Sequence, residues 1–197
     1  KSGIPGIVGG IAMAIGFTAY VFAMSKTTVA NVLFIISTQT IWLALFGYFF
    51  LKEKISLKTF LSIILAMIGI SVMIGGSLST GSMQGNLVAL FIPINFAFLI
   101  LLIRKYSNLD LIPALFYGGL IITIVAFFMS ETILISRHNL LVGFLLGTFQ
   151  HAFGFICIVI AARSTPAVVV GLLMLTETLL GPFWVWIFLN EIPPLSV

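Results

Sequence analysis

Charge is what this 197-residue chain has least of. Only 7% of its side chains are Asp, Glu, Lys or Arg, nine basic and five acidic, where a soluble domain carries about 25%. So few charges cannot clothe a water-soluble globule of this size, which excludes a soluble enzyme, a nucleic-acid binder and a disordered tail. The basic residues, worth a net +4, are scattered over short loops and form no basic patch. The lone cysteine, Cys157, lies in an apolar run, so there is neither a disulfide framework nor a thiolate metal site. HExxH and Gly-x-Ser-Gly motifs are missing, and no Asp stands at mid-span, which argues against an intramembrane protease. A chain apolar throughout is also not a secretory leader, which is a single short apolar stretch.

What is abundant is hydrocarbon: 61% of residues are hydrophobic and the mean hydropathy is +1.28. A helix needs about 20 apolar residues to cross a bilayer, and charges and turn residues divide the chain into seven such stretches. Ile4–Met24 closes at Lys26, and Thr27–Leu51 closes at Lys52-Glu53-Lys54. The uncharged run from Thr59 to Ile103 is too long for one helix, and its Gly/Ser-rich stretch from Gly75 to Asn86 splits it into spans at about 57–75 and 86–104. Leu109–Ser130, interrupted early by Pro113, Leu140–Ala162 and Ser164–Asn190 follow. The expected fold is all-α, a polytopic membrane bundle. Lys1, Lys52, Lys54, Lys58, Arg104, Lys105 and Arg163 fall on one side, Lys26 and Arg137 on the other, so the first side is expected to be cytoplasmic. The last span has no Lys to carry a retinal.

Sliding the chain by 138 residues lays Gly16–Leu57 over Gly154–Leu195 without a gap, with 12 identities in 42 positions. They include Phe17/Phe155, Thr27/Thr165, Thr38/Thr176, Thr40/Thr178 and Glu53/Glu191. The offset is five spans. Five is odd, so the two copies point opposite ways across the membrane. Inverted repeats typify secondary transporters, whose substrate sites lie near the midplane at the repeat interface. A ligand receptor of seven helices is not expected to carry one.

A motif recurs in both copies. An Ala-rich helix end and short loop (Ala23-Met24-Ser25-Lys26-Thr27; Ala161-Ala162-Arg163-Ser164-Thr165) lead into a long apolar helix that closes on Leu-x-Glu (Leu51-Lys52-Glu53; Leu189-Asn190-Glu191). With Ile68-Gly69-Ile70 and Gly181-Pro182-Phe183-Trp184, the chain resembles the drug/metabolite transporter superfamily, in particular the EamA-like ten-helix carriers. The resemblance implies that the seven spans are helices 3 to 9, with residues 1–76 ending a first repeat and 77–197 opening a second. Both ends then read as cut. It also implies a carrier, not an enzyme, that moves small organic metabolites such as amino acids or related compounds, commonly outward, by alternating access. A channel-like facilitator of the same fold is the alternative, followed by a seven-helix receptor or a membrane-embedded enzyme. The expected partners are the lipid bilayer of a plasma or bacterial inner membrane, a small-molecule substrate and protons as a candidate coupling ion. A homodimer is left open, and neither a cofactor nor a nucleic acid is expected. Family members often carry Pro thirteen residues before the closing Glu; here Thr40 and Thr178 stand there, so no proline hinge is inferred.

Glu177 stands out as the acid at mid-helix. An ionisable group at that depth costs about 2.5–3.5 kcal/mol and usually faces a cavity, which suits proton or substrate binding; the plainer alternative is a structural hydrogen bond. Gln39, its repeat counterpart, would line the same cavity. His151 beside Gln150, and Asn31, Asn95 and Trp184, are further substrate- or proton-site candidates, each also explicable as packing or a helix bridge. Glu53 and Glu191 sit at helix ends, where pairing with a loop Lys or a helix start is the expected, structural role. Gly6/Gly10 and Gly143/Gly147 are spaced to let backbones approach. The ten-helix expectation has a simple check. The complete reading frame should add two apolar spans before Lys1 and one after Val197; a natural start or stop abutting either residue would overturn it.

Overall fold

The computed structural model describes residues 2–75, 82–130 and 135–189, and every regular element among them is helical. In order these are α1 (Gly3–Lys26), α2 (Val29–Ser37), α3 (Gln39–Leu51), α4 (Leu57–Gly75), α5 (Met83–Lys105), α6 (Pro113–Met129), α7 (Arg137–Leu145), a π-helical turn (Leu146–Ala152), α8 (Phe153–Ala162) and α9 (Ala167–Leu189). Since α2 and α3 are parted only by Thr38, and α7, the π turn and α8 are continuous, they build seven rods at the seven expected spans. Gly3–Lys26, Asn31–Leu51, Met83–Lys105 and Arg137–Ala162 are long and apolar enough to cross a membrane; Leu57–Val72, Pro113–Met129 and Ala167–Glu177 are shorter apolar helices. The chain is an integral, multi-pass helical bundle.

Local chemistry explains the boundaries. Thr28 and Ser136 cap α2 and α7 by accepting the N–H groups of Asn31 (3.3 Å) and Asn139 (3.1 Å). Pro113 begins α6 instead of interrupting its span, because at the first helical position its missing N–H costs nothing. At the junction of α2 and α3 the helix breaks even without proline. The Ser37 and Thr38 hydroxyls donate back to the carbonyls of Phe34 and Ile35, both at 2.6 Å, and the Thr38 N–H turns to Ile35 at 3.1 Å. Hydroxyls that bond back along a helix bend it.

The bundle is inside-out relative to a soluble protein. Ile4, Ile7, Ile11 and Ile15 form an exposed stripe along α1, while Gly6, Gly9, Gly10, Met13 and Ala14 are buried. Helix α5 is central and packs against α1, α2, α3, α8 and α9. Its buried face carries Gly85, Ala89, Pro93 and Ala97. Small side chains let backbones meet where lipid removes any hydrophobic reward for association. The closest crossing joins α1 to α6: a Cβ on Gly10 would lie 2.6 Å from Tyr117 Cβ and 3.0 Å from the Ala114 carbonyl, and one on Gly118 would lie 3.1 Å from the Gly10 carbonyl. Gly143 and Gly147 differ from expectation. Nothing among the described residues comes within 4 Å of a Cβ at either, because that face of α7 and the π turn meets no neighbour there. Gly10→Leu should therefore destabilise the bundle by about 1–3 kcal/mol through overpacking, lowering the thermal midpoint in detergent, whereas Gly143→Leu should leave it unchanged.

Candidate functional site

Three polar groupings lie along the bundle axis. The first is at the Lys-rich end. α3 closes as the N–H groups of Lys52 and Glu53 converge on the Gly47 carbonyl, with Lys52 in the left-handed region at φ 56°. This turn delivers Glu53 inward, 15% exposed. Its Oε1 accepts from Arg104 Nε at 3.0 Å and Nη2 at 2.6 Å, and its Oε2 accepts the backbone N–H of Ala167 at 2.9 Å. Ala167 opens α9 after Pro166, which has no side chain able to cap; Glu53 supplies that cap from another helix and meets the positive end of the α9 dipole. Arg104 Nη1 donates to the Arg163 carbonyl at 3.1 Å, and Arg163 Nη2 pairs with the exposed Asp110 at 2.9 Å. Glu53 thus meets a helix start, and an arginine in place of the expected lysine: the planar fork can serve Glu53 and a carbonyl together. Glu191 lies outside the described residues.

The second grouping, at the other end, is neutral. Thr27 Oγ1 donates to Asn86 Oδ1 at 2.7 Å, and Asn31 Nδ2 donates to Thr27 Oγ1 and Asn86 Oδ1, each at 3.3 Å. Gly85 permits this, since a Cβ there would lie 2.9 Å from the Thr27 nitrogen. Asn31 is therefore engaged in joining α1, α2 and α5. Asn95 has a similar post: its Nδ2 donates to the Ala12 carbonyl at 2.8 Å and sits where a Cβ on Gly16 would come to 2.6 Å.

The third grouping is at mid-depth, where α1 faces α8 and α9 through side chains instead of close backbone packing. His151 sits in the π turn, exposed, with its ring 5.5 Å from that of Phe17 at 51°. Phe17 also meets Phe155 of α8 edge-on at 5.2 Å. One turn along α1, the half-buried Tyr20 lies within electrostatic reach of Glu177, which is exposed halfway along α9. Phe17, Tyr20, His151, Phe155 and Glu177 thereby fall in one region between α1, α8 and α9. The region gathers a carboxyl group, a phenol, an imidazole and two phenyl rings. π-helical turns often mark functional positions.

Gln39 is not drawn to Glu177 by any hydrogen bond among the described residues; it is buried at the start of α3, 7% exposed. Trp184 falls on α9, with its side chain outside what the structure describes. Sequence reasoning passed over Phe17 and Tyr20. The signal for them was the identity of Phe17 with Phe155 across the repeat and the three-residue step to Tyr20. It also counted Arg104 only as a loop charge.

Residues 3–75, which are α1 to α4, match the EamA-like transporter family. That stretch of the chain is similar to the family. The resemblance carried by the paired motifs therefore holds. An uncharacterized transporter of Clostridium kluyveri is 26% identical over 94% of this chain, and the chain spans 64% of that relative's length. A solved crystal structure superposes on all of this chain and on 71% of its own, with a TM-score of 0.85 at 15% identity; that likeness concerns fold alone.

Among the described residues, one buried group next to the α2–α3 break is unsatisfied. Thr40 is fully buried against Gly171 and Leu43, and its Oγ1 has no hydrogen-bond partner. An unpaired buried hydroxyl costs about 1–3 kcal/mol. Thr40→Val keeps the shape and removes the hydroxyl, so it should raise the thermal midpoint in detergent by a few degrees, about 1 kcal/mol.

Proposed function

We propose that the chain is the larger part of a secondary carrier that moves small organic metabolites, such as amino acids or related compounds, by alternating access. The observation that carries this reading is the mid-depth grouping, in which Phe17 of α1 meets His151 and Phe155 while Tyr20 lies within electrostatic reach of Glu177 of α9, and which we take as the substrate cleft. A carboxylate at such depth is retained against its insertion cost when it serves an ion or substrate path. The family match to residues 3–75 and the transporter relative support membrane transport as the activity.

The geometry of the repeat supports the mechanism. Phe17 and Phe155 are equivalent under the 138-residue offset, and their rings touch. Phe34 and Leu172 are likewise equivalent, and both pack on Ile70 and Leu175. Equivalent residues meet when they flank a two-fold axis, and an axis in the membrane plane makes two halves exchangeable between inward- and outward-facing states. The halves are residues 1–76 and 77–197. The cleft lies between them, and proton exchange at Glu177 is the coupling step, with export as the direction.

The test is flux by the full-length protein in vesicles, with and without a pH gradient. Glu177→Gln keeps the size and removes the charge. It should cut gradient-driven flux by about tenfold or more and abolish its pH dependence. Unchanged flux and unchanged pH dependence would overturn the role given to Glu177. Flux that survives but no longer responds to the gradient in the parent protein as well would identify a facilitator instead.

A further inference from the structure

The Leu-x-Glu signature that closes α3 has so far been read as a helix end. Its geometry points to more: we propose that Glu53 is the latch of a gate at the Lys-rich end of the cleft. This rests on the alternating-access reading.

The argument starts from what the carboxylate joins. Glu53 ends α3, in the first half of the chain. Everything it holds belongs to the second half: Arg104 at the end of α5, and Ala167 at the start of α9. Through Arg104 Nη1 it also reaches the α8–α9 turn at the Arg163 carbonyl. One side chain therefore fastens the two halves together at one end. Beneath it the helices pack closely, and Leu43 is buried in a cluster that includes Ile100, Ile103 and Val170. A Cβ on Gly47 would stand 3.5 Å from Ala167 Cβ, and one turn deeper a Cβ on Gly171 would stand 3.0 Å from Thr40 Cα and 2.9 Å from Leu43 Cδ1. Across this seam, among the described residues, the bond between charged side chains of the two halves is the one from Arg104 to Glu53.

The chemistry suits a bond that must break. Arg104 and Glu53 are 21% and 15% exposed, so water reaches both. On separation each charge is rehydrated instead of being stranded in hydrocarbon, which keeps the two states close in free energy. A seam of buried ions would be locked; a seam of apolar groups alone would not distinguish closed from open. The opposite end is held differently, by the neutral Thr27, Asn31 and Asn86 bridge, which joins α1 and α2 to α5. Glu53 acts on the cleft through helix position, without touching a substrate, and is a positioning residue.

The experiment uses the full-length protein in membranes with Cys157 replaced by Ser. Leu43→Cys, a fully buried position below the latch, reports opening of the Lys-rich end to an impermeant maleimide. Val32→Cys, fully buried in α2, reports from the other side. Glu53→Gln should raise labelling at position 43 about five- to tenfold while labelling at position 32 falls or stays level, because one gate opens at the expense of the other. Equal labelling of position 43 with and without the substitution overturns the latch. So does a rise at both positions, which is what a merely structural glutamate would give. As a second arm, Gly47→Cys with Ala167→Cys places the two Cβ atoms within disulfide range, the Glu53 carboxylate swinging aside. The oxidised protein should not transport, and reduction should restore flux; transport through the cross-linked form overturns the proposal. Labelling that follows the latch in a protein that moves no substrate would uphold the gate and defeat the carrier reading instead.

Discussion

In a hydrocarbon solvent a helix gains nothing by hiding leucine, and the whole structure follows from that constraint. Burial must be rewarded by close contact and by polar groups that find partners within the protein. Glycine and alanine therefore hold the closest crossings, as between Gly10 and Gly118, beside buried Leu43, Ile100 and Ile103, while many other isoleucine and phenylalanine side chains face outward. The few polar side chains inside are committed to bridging: Asn95 to the Ala12 carbonyl, Asn31 to Thr27 and Asn86, Glu53 to Arg104 and the start of α9.

The same economy separates structure from function at the site. A membrane protein that uses its polar groups to hold helices together has few left over. Asn31 and Asn95 are already occupied, whereas Glu177, His151 and Tyr20 lie on helices that do not pack closely on one another. Regular helix breaks at two places, Thr38 between α2 and α3 and the π turn that carries His151. At both, the backbone departs from the α-helix without exposing unpaired groups to lipid. The Thr38 hydroxyl and N–H bond to Ile35, and the Phe153 N–H reaches the Thr148 carbonyl.

Much of the fold was legible in the residues themselves. Seven spans could be counted from charges and glycine-rich breaks, and the helices fall within them because backbone polarity leaves no other way to cross a bilayer. Boundaries moved by a few residues where caps acted, as Ser136 does for α7 and Pro113 for α6. The break at Thr38 was not legible from a missing proline, since back-bonded hydroxyls bend a helix just as well. Glu177 and His151 were legible as ionisable groups at depth. Phe17 and Tyr20 were not, because an aromatic residue in an apolar helix carries no mark of which neighbour it will meet.

Sequence alone determined the membrane class, the number of spans and the paired Leu-x-Glu signatures, since each depends only on composition and order along the chain. Tertiary structure decided which polar residues were spent on bridges, that Arg104 and not a loop lysine meets Glu53, and that Gly10 is pressed against α6 while Gly143 meets nothing among the described residues. The reason is physical: a helix presents several faces of nearly equal hydropathy to lipid and to protein alike, and only the packing of one rod on another chooses among them.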